Sequence, residues 1–246
     1  MLVFLRAGAF LLALPFFSAT NFPVTMRVAL AALMALLLAP ILPPFSLGHV
    51  AFFTLFWVMI QEVFIGLLLG FVARMIFYAV EMGGSIIANE LGLNMASILD
   101  PMSQMSSQIP ATILFYLATL VMLTLNLHHW ILAGFERSFS VLPIGVVHLH
   151  GEMFDIVSGQ ISDIFDVALE ICAPVLAVSF VVTVVFGVLS RAVPQMNVFI
   201  LSFSFRIIAG MIVFGFTLQL AAQHVVNYLH RLPGDMLNLA QWMAAN

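Results

Sequence analysis

Long apolar stretches separated by short polar breaks run along the whole chain. Windows such as residues 178–189 and 207–220 are apolar on every side rather than at alternate positions, which favours helices over β-strands. Because a membrane-spanning helix needs about 20 apolar residues, the pattern predicts an all-α membrane protein with about six apolar helical segments, some bent or broken. The six stretches cover residues 2–19, 24–42, 50–82, 110–127, 167–189 and 198–220.

The third stretch is too long for a simple crossing. As one helix, residues 50–82 would measure about 50 Å, whereas the hydrocarbon core is about 30 Å thick. The helix must therefore tilt, bend or project from the bilayer, and the pair Gly83-Gly84 predicts a break at its end. Pro233-Gly234 predicts a second break, in the amphipathic tail.

Residues 91–110 are irregular, with Gly92, Pro101 and Pro110 interrupting a mixture of large apolar and small polar residues. Non-helical backbone at membrane depth is tolerated only where it is buried in protein or lines a water-filled cavity. Methionine is flexible, so the methionines here either fill gaps in a core or form a deformable seal. We expect the stretch from about 94 to 108 to be part of a compliant seal, which excludes water but yields to a passing chain.

Composition supports the membrane assignment. Apolar residues make up 63% of the chain and charged residues 7%, the net charge is −4, and there is no lysine. Soluble domains carry about 25% charged residues, so a soluble enzyme, a nucleic-acid-binding domain and a disordered chain are all excluded.

No enzyme signature is present. The triplet His148, His150 and Glu152 has metal-ligand character but lacks a convincing fourth group. The single Cys172 excludes an internal disulfide. We therefore expect no catalytic residue, cofactor or metal.

Glu62, Arg74, Glu170 and Arg206 are charged residues that lie in apolar sequence. A charge left in lipid costs at least about 2.5 kcal/mol, so we expect these side chains to face protein or a partner, unless an arginine reaches the membrane surface. The acids between 152 and 170 fall within an arc of about 80° on one helix. These acids form either a solvated helix face or a stripe that lines an aqueous path or contacts a partner. Gly66 and Gly70 predict a close helix–helix contact.

Several motifs resemble one family, the flagellar biosynthetic FliR proteins, which are the R/T-type subunits of type III secretion export gates. The most specific is the run Leu-Ser-Arg-Ala-Val-Pro-Gln-Met-Asn-Val-Phe at 189–199. The other matching positions are Glu62, Gly66, Gly70-Phe71, Gly84, Gly92-Leu93, Met95, Asp100-Pro101, Ser138-Phe139, Leu142-Pro143, Gly145 and Ala173-Pro174.

The resemblance implies a non-enzymatic pore subunit of the flagellar type III protein export gate in the bacterial inner membrane, at the flagellar basal body. Residues 1–150 resemble a P-type gate subunit and residues 151–246 a Q-type helical hairpin, in agreement with a composition shift near 150. The implied partners are the P- and Q-type subunits, the B-type switch subunit, the A-type subunit, the lipid bilayer and unfolded exported proteins in transit, with no nucleic acid.

The resemblance also implies two functional segments. A pore-constricting loop carries Met95, Ile98, Leu99, Asp100, Pro101, Met102 and Met105. A cytoplasmic turn, supported by the tendency of arginine to stay on that side, carries Ser190, Arg191, Pro194, Gln195 and Asn197.

Two other functions compete with this one. The first is a T-type subunit of a virulence injectisome, against which the flagellar version is favoured by the segments 92–95 and 190–194. The second is a small-solute transporter, which would place ionisable residues symmetrically in two halves. We do not find that symmetry in the sequence.

Overall fold

A computed structural model describes residues 1–18, 22–42, 52–94, 108–145, 152–192 and 198–244. These residues form helices and contain no strand. The helices are α1 (Leu2–Ala13), α2 (Pro15–Ser18), α3 (Val24–Leu38), α4 (Phe52–Glu90), α5 (Ile109–Thr124), α6 (Leu127–Val141), α7 (Glu152–Ala192) and α8 (Val198–Ala244).

The lengths of these helices confirm the all-α membrane class. Three of the described helices, α4, α7 and α8, are long and apolar enough to cross a bilayer. The pair α5 and α6 passes the same test together and is bent by 75°. With the shorter apolar helices α1 and α3, this makes the six apolar segments that the pattern predicts.

The predicted break at Gly83-Gly84 is wrong, because α4 continues through both glycines to Glu90. At Gly84 the start of α5 packs directly on the helix: a Cβ there would lie 2.6 Å from the backbone nitrogen of Ala111. A glycine costs a helix only about 1 kcal/mol relative to alanine. Close packing against α5 offsets that cost.

The predicted break at Pro233-Gly234 is also wrong, since α8 runs through Pro233. Leu232, directly before it, and Met236, three residues after it, are fully buried. Gly134 of α6 packs against this turn: a Cβ on Gly134 would lie only 3.1 Å from the sulfur of Met236. Tertiary packing therefore holds the helix together where the proline removes one backbone hydrogen bond.

The bend between α5 and α6 has a local cause. Asn126 adopts a left-handed conformation with φ 54°, which asparagine tolerates better than most residues. Its amide donates to the Leu123 carbonyl at 3.2 Å, and its own carbonyl accepts from His129 at 3.1 Å. A helical turn is thus closed on each side of the bend.

The chain divides into two compact units. Unit 1 comprises Met1–Ile76, Leu123–Ile161 and Tyr228–Asn246, and its core includes the stacked rings of Phe10 and Phe135, 4.4 Å apart. Unit 2 comprises Phe77–Met122 and Ser162–Asn227. The boundary predicted near residue 150 separates two regions that resemble different subunit types. It is not a boundary between compact units, and it stays a prediction.

We predict that Gly84→Ala lowers the free energy of unfolding by about 1–3 kcal/mol, because the new methyl group meets backbone atoms of α5. The matched control is Gly187→Ala in α7, where a Cβ has nothing within 4 Å. That variant should be as stable as the unmodified chain or up to about 1 kcal/mol more stable. Thermal unfolding in detergent, followed by circular dichroism, measures both. Equal stability of the two variants would contradict the packing assigned to Gly84.

Candidate functional site

The most buried charged group of unit 1 is an ion pair between α1 and α4. Arg6 Nε lies 2.6 Å from Glu62 Oε2, and a second guanidinium nitrogen donates to Oε1 at 3.1 Å. Both side chains are completely buried. Bidentate arginine–carboxylate pairs of this kind combine charge with a fixed geometry.

Groups from the end of α6 complete this ion pair. The third guanidinium nitrogen donates to the Leu142 carbonyl at 3.1 Å, and the arginine lies over the Phe139 ring, 4.1 Å from its centroid. The Gly145 amide donates to Glu62 Oε1 at 3.2 Å. Helices α1 and α4 and the segment after α6 therefore converge on one pair of charges.

Gly66 and Gly70 allow α1 to approach α4 this closely. A Cβ on Gly66 would lie 2.8 Å from Ala9 Cβ and closer still to the Arg6 carbonyl. A Cβ on Gly70 would lie 2.8 Å from the Phe10 carbonyl. Larger residues at either position would push the helices apart and lengthen the contacts of the ion pair.

A second cluster, in unit 2, fixes the end of α4. Gly92 has φ 71°. Its amide donates to the Asn89 carbonyl, and the Leu93 amide donates to the Ala88 carbonyl, both at 3.0 Å. This is the hydrogen-bond pattern of a Schellman cap, which needs a left-handed residue and therefore favours glycine. A Cβ on Gly92 would also overlap the Phe203 ring of α8.

Polar contacts to Glu90 reinforce that end of the helix. The buried Ser179 hydroxyl of α7 donates to Glu90 Oε1 at 2.6 Å. Arg206 of α8 donates to the Glu90 carbonyl at 3.5 Å and to the Thr183 hydroxyl at 3.0 Å. A cation near carbonyls at a helix C-terminus is favourable because of the helix dipole. Arg206 therefore faces protein.

The other predicted charges have different surroundings. Arg74 is half-buried within α4. Glu170 is exposed, and one of its carboxylate oxygens lies 3.2 Å from His224 Nε2 of α8. Asp163 and Asp166 are exposed on the same helix as Glu170, so both interpretations of the acidic stripe stay open.

The two segments implied by the resemblance are only partly described. Ser190 and Arg191 lie exposed in the last turn of α7. Outside the described residues are Pro194, Gln195 and Asn197 of the turn, and Met95, Ile98, Leu99, Asp100, Pro101, Met102 and Met105 of the loop.

A cavity of 590 Å³ lies in unit 2 beside Gln108, where the chain is described again after the loop. Its polar lining comes from Tyr78, Glu81, Ser85, Gln108, Thr112 and Tyr116. Within the described residues, no group of three or more histidine, cysteine or acidic side chains could hold a metal ion. The triplet around His148 and His150 lies outside them, apart from the helical backbone at Glu152.

The whole arrangement is thus a membrane-embedded helical scaffold with internally paired charges, and comparison with known proteins gives its family. The model for bacterial export proteins, family 1, matches residues 1–232. The chain belongs to this family of bacterial export proteins.

Members of the export family with curated names are similar over most of their length. The flagellar biosynthetic protein FliR of Escherichia coli (strain K12) is 29% identical over 237 residues, covering 95% of this chain and 90% of that protein. FliR of Bacillus subtilis (strain 168) is 31% identical, covering 86% and 83%. FliR of Aquifex aeolicus (strain VF5) is 28% identical, covering 93% and 88%.

Sequence reasoning missed several residues that organise this export protein. It found Glu62 but not its partner, although Arg6 is also a charge inside an apolar stretch and fits the same criterion. It found Arg206 but not Glu90, which follows a polar Asn89 and therefore gave no signal of burial. Ser179 and Thr183 gave none either, because small hydroxyl residues are ordinary in apolar helices.

We predict that Arg6→Met and Glu62→Gln each lower the free energy of unfolding by about 3–5 kcal/mol, because each leaves one buried charge without its partner. The double variant should recover much of that loss, since no charge is then stranded. Arg137→Met, which removes an exposed arginine of α6, serves as the control. Denaturant unfolding in micelles, followed by tryptophan fluorescence, measures all four; strictly additive losses would contradict a coupled pair.

Proposed function

We propose that this chain is a non-enzymatic pore subunit of the flagellar type III protein export gate. The observation that carries the proposal is the match to an export-protein family over residues 1–232, with FliR relatives that align over most of their length. The helices long and apolar enough to cross a bilayer are what such a subunit needs.

The scaffold supports a seal in the stretch between Asn94 and Gln108. Before this stretch, the Schellman cap and Phe203 fix Gly92, and Leu91 packs against Gly210. After it, Ala111 packs on Gly84. Both ends of the stretch thus return to the last turns of the same helix, so the loop is held at two fixed points. A loop held in this way can obstruct a passage without being carried away by a passing chain.

The composition of the loop suits that role. Its methionines and aliphatic residues exclude water, and methionine adapts to side chains of different shapes. The residues assigned to the seal are Met95, Ile98, Leu99, Asp100, Pro101, Met102 and Met105. The cargo is unfolded flagellar protein.

In this proposal the chain works in the bacterial inner membrane at the flagellar basal body. The P- and Q-type subunits complete the channel, and the B-type switch subunit and the A-type subunit join the same apparatus. The described residues leave the apolar faces of α7 and α8 largely uncovered, with Phe180, Val188, Ile212 and Phe216 among the exposed side chains. Lipid and neighbouring subunits would cover them.

We predict that removing Ser103–Ser107 leaves the gate complex assembled but lets ions and small solutes through, because the shortened loop no longer fills the passage. The control replaces Ser103, Ser106 and Ser107 with alanine and so keeps the length of the loop. Membrane conductance and sensitivity to small toxic molecules are measured in strains that carry either variant. An assembled complex with a tight membrane after the deletion would refute the seal.

We predict that the turn after α7 faces the cytoplasm. Ala192 is exposed at the end of α7, so a cysteine introduced there, in a Cys172→Ser background, should react with impermeant thiol reagents only after the inner membrane is opened. Cys172→Ser alone is the control for labelling of other proteins. Ready labelling from the periplasm would reverse the topology.

A further inference from the structure

A second cavity, of 310 Å³, lies in unit 1 and differs in character from the polar one. We call it the α1–α3 slot. Its lining is apolar apart from Arg27: the other residues are Phe4, Leu5, Gly8, Ala9, Leu12, Val24, Val28, Ala31 and Val63. Three of these side chains, Leu12, Val24 and Val28, are at least half exposed, so the slot opens to the surface of the chain.

Arg27 has a buried donor with no acceptor. Its Nε is shielded from solvent, and no described residue accepts a hydrogen bond from it. A buried polar group without a partner is destabilising, and more so when it carries charge. An anionic group of a bound molecule would supply the acceptor that the described residues do not.

The start of α3 adds to the attraction for an anion. Arg27 lies in the first turn of α3, which has no acidic residue and whose N-cap, Pro23, makes no side-chain capping hydrogen bond. The first backbone amides of the helix therefore point outwards with partial positive charge. The helix dipole and the guanidinium favour the same sign of ligand.

The position of Arg27 along the sequence matches the headgroup level of a membrane. The polar pair Thr20-Asn21 and Pro23 precede the apolar run of α3, as is typical where a chain enters the bilayer. One helical turn into α3, Arg27 is within reach of lipid phosphates, and basic pockets between helices at this level bind anionic headgroups.

We propose that the α1–α3 slot binds one anionic phospholipid, with an acyl chain in the apolar groove and the phosphate on Arg27 and the amides that begin α3. A free phosphate would satisfy Arg27 but leave the groove empty. An apolar helix of a partner would fill the groove but leave Arg27 Nε without an acceptor. A zwitterionic lipid places its own cation beside the phosphate and competes with Arg27. This inference is independent of the proposed export function.

The test uses the full chain, purified in mild detergent and mixed with equal amounts of phosphatidylglycerol and phosphatidylcholine. Native mass spectrometry counts the lipids that stay bound. One arginine–phosphate contact at a membrane surface favours the anionic lipid about fivefold. We expect the unmodified chain to retain phosphatidylglycerol over phosphatidylcholine by about that factor.

Arg27→Gln should bring the ratio close to one, whereas Arg27→Lys should keep most of the preference. The matched control, Arg137→Gln, removes an exposed arginine of α6 and should leave the ratio unchanged. No preference in the unmodified chain, or an equal loss in both glutamine variants, would overturn the proposal.

Gly8→Leu tests the groove itself. A Cβ on Gly8 has only Ala31 nearby, at 3.9 Å, so the rest of a leucine side chain can extend into the slot. This variant should lose the bound phosphatidylglycerol while keeping Arg27. Retention equal to that of the unmodified chain would overturn the acyl-chain assignment. Circular dichroism checks its folding; if it does not fold, the comparison of Arg27→Gln with Arg27→Lys decides alone.

Discussion

The fold of unit 1 depends on placing one positive and one negative charge where neither can reach water. Arg6 and Glu62 are fully buried, and Leu142 and Gly145 each add one hydrogen bond to the pair. An isolated charge in such surroundings would be prohibitive. The pair is therefore possible only if α1, α4 and the end of α6 arrive together. This requirement selects one arrangement of apolar helices that could otherwise pack in many ways.

The existence of the helices could be predicted from the sequence, because hydrophobic length is a local property. The position of their ends could not. Gly83-Gly84 and Pro233-Gly234 are strong breakers in isolation, yet both lie inside helices. Contacts with α5 and α6, which are distant in the sequence, keep those helices continuous. A helix continues through glycine or proline where tertiary contacts stabilise it by more than the low helix propensity of those residues destabilises it.

The candidate site shows the same division. Because a bare charge in lipid is costly, the sequence predicts that Glu62 and Arg206 face protein. The spacing of Gly66 and Gly70 predicts a close helix–helix contact. The partners of these residues could not be predicted from the sequence, because they lie far away along the chain and meet only in the folded structure. Gly92 is the instructive case: the sequence marks it as a break, whereas the structure shows a Schellman cap that ends α4 at a defined residue.

The spacing of Glu62, Gly66 and Gly70 limits how this chain can change length. Each lies one helical turn after the last, so all three face α1. An insertion or deletion of a single residue between them would rotate everything beyond it by about 100°. Isoleucine, leucine or phenylalanine side chains would then stand where α1 needs bare backbone. Segment 62–70 can therefore diverge by substitution on its outer face, but it cannot gain or lose a residue without also remodelling the N-terminal helix.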